Sequence, residues 1–346
     1  MTDNTSLSDI INPAIFFLFV FAESSLRIKR INHLLICTCV CTRKLAATPR
    51  QMLTLREKYY DFDQISSKVF KCRRDDQFFT MKIVSILNEE NQANNGVPYW
   101  IIREISILKE LDHINIVRLI DVMTDGPDLF LVFEYLDNEF QADFLKNPKM
   151  FMYPQMKKEF LYQILNTVAY LHARKILLRD LRPENILVNV RTQVLKIALF
   201  GAARTFEAPL EAYSSSVGCL SYRSPEVLFQ FGCEKYSTPN DVWAVGCIFG
   251  EMLLHRPLFS GPSDVELLDE IFTLLGTPTE ETWPGVTSIC GTCALMGPPQ
   301  QPKDLAKEFP MLNPDGLDLL SKMLCLCPNY RISAEDAVKH PYFKGV

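Results

Sequence analysis

From Tyr59 onward the apolar positions fall into short runs and then into longer helical stripes. "VFKC" and "FFTMKIV" are β-branched and aromatic runs of strand length. In "YWIIREISILKEL", Ile101, Ile105, Leu108 and Leu111 recur at helical spacing, and Pro98 stands where a helix can begin. "NIVRLIDVM" and "DLFLVFEYL" read as two further strands joined by the turn "TDGPD". A small, mostly β lobe with one helix therefore spans 59–136. The remainder, 137–343, is mostly helical. "MKKEFLYQILNTVAYLHARK" is a long amphipathic helix, and "PNDVWAVGCIFGEMLLH" is apolar nearly all round and so should be buried. "VELLDEIFTLLG" and "GLDLLSKMLCL" follow as helices. The fold class is α+β: a β-rich lobe, a hinge near Phe133 to Leu136, then a helical lobe, with no internal repeat.

Residues 1–50 do not share this regularity. "INPAIFFLFVFA" is strongly apolar but too short to span a bilayer, and the acidic start "MTDNTSLSD" is unlike a signal peptide. The expectation is an irregular extension, poorly ordered or packed on the domain, without a membrane anchor. Composition fits a globular protein, with 48% hydrophobic and 22% charged residues. A formal charge of −5 argues against a nucleic-acid partner held by a broad basic surface. The 11 cysteines form no disulfide framework, which points to a reducing compartment. Cys290 and Cys293 form a CxxC with no second pair at zinc-site spacing.

Several ordered motifs carry a resemblance. "GVPYWIIREISILKELDHINIVRL", "LLRDLRPEN", "YSTPNDVWAVGCIFGEML", "LLGTPTEETWPGV" and "LLSKMLCLCPNYRISAEDAVKHPYF" stand in the order of a eukaryotic protein kinase. More narrowly, the stretch from Tyr59 to Phe343 resembles the cyclin-dependent serine/threonine kinases, plant members especially. The resemblance implies a bilobal kinase fold, ATP and Mg²⁺ as cofactors, a cyclin or cyclin-like partner and a protein substrate. By analogy it implies a nuclear or cytoplasmic location.

Phosphoryl transfer asks a protein mainly to position groups and neutralise charge. By resemblance, Lys82 would grip the ATP phosphates and pair with Glu104. Asp180 would accept the substrate hydroxyl's proton, and Asn185 would hold one Mg²⁺. Arg182 stands where the family has a phosphate-steadying lysine; charge survives, but a guanidinium is a wider, planar fork. Leu178 stands for a histidine of structural role. Ile65, Val69, Phe133, Leu187 and Ala198 would line the adenine site, with Glu134 to Leu136 as its backbone edge, and Thr80 replaces an alanine there.

Two departures concern the phosphates. The aspartate that holds the bridging metal is Leu199, which has no oxygen for a hard cation. The glycine-rich phosphate loop is missing: "YYDFDQISSKVFKC" has no glycine, the first glycine of the chain is Gly96, and about four residues are lacking between Ile65 and Val69. In the activation segment, Cys219 replaces a bridging threonine, and Ser221 replaces a tryptophan of the substrate-proline site. The regulatory devices persist: Ser214 matches the phosphorylated threonine, with Arg103, Arg179 and Arg204 matching the arginines that gather its phosphate. Glu226 and Arg331 match a buried ion pair, and Asp241 a structural position. On the cyclin-facing helix, Tyr99, Trp100 and Ile101 replace small residues, which changes what can dock.

Two function classes follow. One is a catalytically impaired kinase-fold protein, a pseudokinase, that binds a cyclin-like partner or a substrate. The alternative is an active ATP-dependent serine/threonine kinase that uses Lys82, Glu104, Asp180 and Asn185 with one metal.

Overall fold

The structure, a computed structural model, describes residues 55–85, 97, 99–125, 128–136, 140–142, 153–189, 191–198, 203–205, 219–229, 236–289 and 298–346. The apolar extension, Pro98, the "TDGPD" tip and the CxxC pair lie outside the described residues. Two compact units emerge. One extends to Leu111 and resumes at Arg118–Leu136; the other takes Asp112–Val117 and Asp137–Val346.

The first unit opens with one helical turn, α1 (Leu55–Lys58), and then builds a sheet from β1 (Tyr60–Ser66), β2 (Val69–Arg74), β3 (Gln77–Ser85), β4 (Leu119–Asp125) and β5 (Asp128–Glu134). The order is β1-β2-β3-β5-β4, antiparallel throughout. Helix α2 (Tyr99–Glu110) lies between β3 and β4 in sequence. The β2–β3 turn is Asp75-Asp76, both at positive φ (50° and 61°). That is the backbone of a two-residue turn whose twist matches the strands, and aspartate tolerates it without glycine. Successive residues point to opposite faces, and both faces are covered. Met81, Phe130 and Val132 join Leu55, Tyr59, Cys72 and Phe79 on one side. Leu129 and Leu131 meet Ile101 of α2 on the other. Burying each such aliphatic side chain contributes roughly 1.5–3 kcal/mol.

The expected strand "NIVRLIDVM" starts later than its pattern suggests, at Leu119. Asn115–Val117 serve the second unit instead. The Asn115 side chain donates to Gln163 Oε1 and to the Leu195 carbonyl, both at 2.8 Å, and Ile116 bridges to Ile197. A buried amide with partners distant in sequence outcompeted the apolar run.

The second unit is built around α3 (Pro154–Ala173), α4 (Pro225–Phe229) and α5 (Thr238–Leu254). Every residue of α5 from Asn240 to Leu253 is buried, as its all-round apolar pattern predicts. A Cβ on Gly246 would stand 2.9 Å from the Leu324 side chain, so glycine lets the next segment approach. Then come α6 (Asp264–Leu275), α7 (Val286–Ile289), α8 (Leu305–Glu308), α9 (Pro314–Met323) and α10 (Ala334–Val338). Two small sheets complete the unit. β6 (Phe140–Ala142), β8 (Ile186–Asn189) and β9 (Val194–Ile197) form one; β7 (Ile176–Leu177) pairs with β10 (Arg204–Thr205) in the other. No described helix is long and apolar enough to cross a membrane.

Candidate functional site

The expected site residues fall into two groups, one on each unit. On the helical unit, the segment after β7 is held by the carboxylate of Asp241, which is completely buried near the start of α5. It accepts from the backbone N–H groups of Leu178 and Arg179, both at 3.0 Å, and from the Tyr236 hydroxyl at 3.0 Å; His172 Nε2 lies 2.9 Å away. Burial and the Asp241 charge push the Tyr236 phenol well above its ordinary range, so it stays a donor. This clamp holds Arg179 at φ +68°, a left-handed conformation that a bulky residue adopts only when its surroundings impose it. Leu178 is buried, which agrees with a packing role.

Asp180 follows directly and is half-buried. Its Oδ1 accepts from the Cys219 backbone N–H at 3.2 Å. The buried Asn185 side chain donates to the Asp180 carbonyl at 2.8 Å and to Oδ2 at 3.2 Å. Asn185 comes from a short 3-10 turn, Pro183–Asn185, whose proline fixes the first position. The loop therefore presents one carboxylate in a defined orientation. Arg182 turns to Glu184, donating from Nε at 2.8 Å, and this bond raises the guanidinium's pKa further. A cavity of about 20 Å³ beside Asp180 is lined in part by Arg179, Cys219, Tyr222 and Arg223, room for one water.

On the sheet unit, Lys82 of β3 and Glu104 of α2 form an ion pair at 3.6 Å. The separation gives charge pairing just beyond hydrogen-bond reach. Glu104 is buried at 2% exposure, whereas the Lys82 side chain keeps 28%. Directly opposed residues share a face. Val69, Lys82 and Leu131 make one row across the sheet, and Lys71, Thr80 and Phe133 make the next. Glu134 ends β5, and its Oε1 accepts from the Arg118 N–H at 2.8 Å. Ile65 stands 59% exposed on the edge strand, and Leu136 is half-buried. Leu187 lies half-buried on β8 of the other unit, paired with Lys196.

The β1–β2 hairpin closes in two residues, Ser67 and Lys68, with Ser66 paired to Val69. Neither turn residue has positive φ. A turn this short has no run of backbone N–H groups to wrap around phosphates. The metal chemistry is only half supplied. Leu199 offers no oxygen to a hard cation, while Asn185, whose amide nitrogen donates to Asp180, keeps its Oδ1 for one.

Of the three arginines that the resemblance assigns to a phosphate, Arg103 is half-buried on α2 and Arg179 is buried, with its guanidinium 5.5 Å from the Tyr236 ring centre. Arg204 lies on β10, and its side chain, like Leu199 and Ser214, is outside the described residues. The side chains of Tyr99 and Trp100 are outside them as well. Glu226 and Arg331 do form a buried bidentate pair, at 2.7 and 2.9 Å.

Reading the sequence missed the Glu184 partner of Arg182, although opposite charges two residues apart in "RPE" were a visible signal. It also missed Tyr236 and His172 as donors to Asp241. Tyr236 stands five residues before Asp241, and His172 is brought to them from α3, 69 residues away from Asp241.

The model of the family described as "Protein kinase domain" matches residues 65–343. That stretch takes in strands β2 to β5 of the antiparallel sheet, the Lys82–Glu104 pair, the Asp180 loop and nearly all of the helical unit. The five-stranded sheet followed by a mainly helical region is the bilobal kinase fold in its two parts, and the chain belongs to the protein kinase domain family.

Proposed function

We propose that this protein is a cyclin-dependent-kinase-like member of the family, impaired in catalysis, which acts by binding a cyclin-like partner or a protein substrate. The observation that carries the reading is the two-residue β1–β2 turn at Ser67-Lys68, taken with Leu199. Both changes strike the same charge cluster: one removes the backbone cradle of the phosphates, the other the anchor of their metal. The residues that would meet the base, Val69, Thr80 and Phe133, still stand in adjacent rows of the sheet. Adenosine recognition is thus separable from phosphate recognition. The partner class rests on the motif resemblance and on the helix that begins "PYWIIRE".

A specific observation favours the alternative, an active serine/threonine kinase. Lys82 is paired with Glu104, and Asp180 is oriented by Asn185 and Cys219. ATP titration of the full chain, with and without Mg²⁺, decides between them. Absent or metal-independent binding supports the impaired reading. Mg²⁺-strengthened binding together with phosphate transfer abolished by Asp180→Asn overturns it.

A further inference from the structure

We infer that Lys71 is a positioning residue: its ammonium clamps Tyr135, and so fixes the segment Glu134–Leu136 whose backbone would face a bound base. The inference rests on the proposed nucleoside site, but its geometry lies within the sheet unit. Lys71 Nζ stands 4.0 Å from the centre of the Phe78 ring and 4.9 Å from that of Tyr135. The two rings touch, with centroids 5.7 Å apart at an interplanar angle of 51°. Phe78 also receives the Arg73 guanidinium, 5.6 Å from its centroid, and Arg73 is itself tied to Asp76 at 2.7 Å. Phe78 therefore has two cations near its ring although it is 44% exposed.

The consequence concerns where β5 ends. Its last strand residue is Glu134, opposite Phe79, so Tyr135 is the first residue beyond the ladder. A chain leaving a sheet loses its strand hydrogen bonds and is free to fray. Two devices oppose this. Glu134 is bonded to Arg118 through backbone and side chain, at 3.0 and 2.8 Å. Tyr135 is held by an aromatic contact and a cation over its face, each a modest attraction. The cation is drawn to the rings, in the row beyond the one that Lys71 shares with Thr80. Lys71 thus stabilises the edge of the base site and does not itself grip phosphate.

Amide hydrogen exchange on the full chain tests this without any nucleotide. Lys71→Met keeps the aliphatic stem and removes the charge. It should speed exchange at Glu134, whose N–H donates to the Arg118 carbonyl at the end of the ladder, about three- to tenfold, as the loss of one or two cation–π contacts implies. Lys71→Arg should restore protection to within about twofold. Tyr135→Leu is a second variant and should expose the same amide. Unchanged exchange in Lys71→Met, or a uniform rise over all five strands, would overturn the inference. In the wild type, adenosine and ATP affinities are then measured beside the variant's. An equal fall for both supports positioning, and a fall for ATP alone means a direct phosphate contact and sinks it. A wild-type chain that binds neither ligand defeats the proposed nucleoside site, and the exchange result then decides the Lys71 clamp by itself.

Discussion

Replacing Arg331 should unfold the helical unit sooner than replacing any other single charged residue described here. Every N–H of its guanidinium is used. Nη1 donates to Glu226 Oε1 at 2.7 Å and to the Pro239 carbonyl at 2.9 Å. Nη2 donates to Glu226 Oε2 at 2.9 Å and to the Leu326 carbonyl at 3.2 Å. Nε donates to the Cys325 carbonyl at 2.9 Å. The side chain is fully buried, and its partner carboxylate keeps 8% exposure. Arg331→Met conserves the stem but leaves a buried carboxylate with Asn240 Nδ2, at 2.8 Å, as its remaining donor here. Removing one partner of a buried pair costs about 3–5 kcal/mol. For a unit of about two hundred residues this lowers Tm by roughly 6–20 °C.

Tryptophan fluorescence is a suitable probe, because the Trp243 ring centre lies 5.0 Å beneath the guanidinium. Urea unfolding of the full chain would be followed this way for wild type, Arg331→Met, Glu226→Met and the double variant. The double variant removes the uncompensated charge and should recover part of the loss, since apolar replacement of a whole pair is often near neutral. A loss under about 1 kcal/mol in Arg331→Met, or a double variant as unstable as the sum of the singles, would refute the reasoning.

Asp241→Asn should cost about 1–3 kcal/mol, because an amide cannot accept from all four donors, and limited proteolysis should open the chain near Arg179. Cys72 should resist iodoacetamide in the native protein, since burial raises its thiol from the usual 9.0 to about 11. The stability this thiol contributes is complete below pH 9 and is lost as pH rises toward about 11, so Cys72→Ala should flatten the alkaline limb of a Tm–pH curve. The Asp318 carboxyl is held below its usual value chiefly by its bond from Lys322, then by His340. Its contribution is present above pH 3.8 and fades as pH falls, and Asp318→Asn should make acid denaturation correspondingly shallower. Leu199→Asp combined with four inserted residues containing two glycines at Ser67 should confer Mg²⁺-dependent ATP affinity, at least about tenfold; isothermal titration with no metal effect would count against the Ser67-Lys68 turn and Leu199 as the basis of the proposed impairment.

Legibility in the sequence followed the range of the interactions. Helix α5 was plain, because burial on all sides requires an unbroken apolar run, and α2 was plain because one face packs on Leu129 and Leu131. The start of β4 was misplaced because Asn115 spends its amide on Gln163 and Leu195, partners 48 and 80 residues away. Lys82, Glu104, Asp180 and Asn185 were identified through motif resemblance, not through any local physical pattern. Their geometry adds something the motif does not carry: Asp180 is oriented by a backbone N–H of Cys219, so the side chain at that position does not set this bond.

That last point separates two kinds of retained residue. Asp241, His172, Tyr236, Glu226 and Arg331 are bonded within the helical unit and stabilise it whether or not the chain transfers phosphate. Their presence therefore says nothing about catalysis. Lys82 and Glu104 admit both kinds of role. The buried Glu104 carboxylate would be costly without a cation near it, and Lys82, 3.6 Å away, supplies that cation whether or not a phosphate reaches it. The pair is therefore compatible with both readings of the function and does not decide between them. What remains to decide the chemistry are the groups that act on phosphate and metal alone. Among these, the turn at Ser67-Lys68 and Leu199 carry the proposed impairment, one offering no run of backbone N–H groups and the other no oxygen.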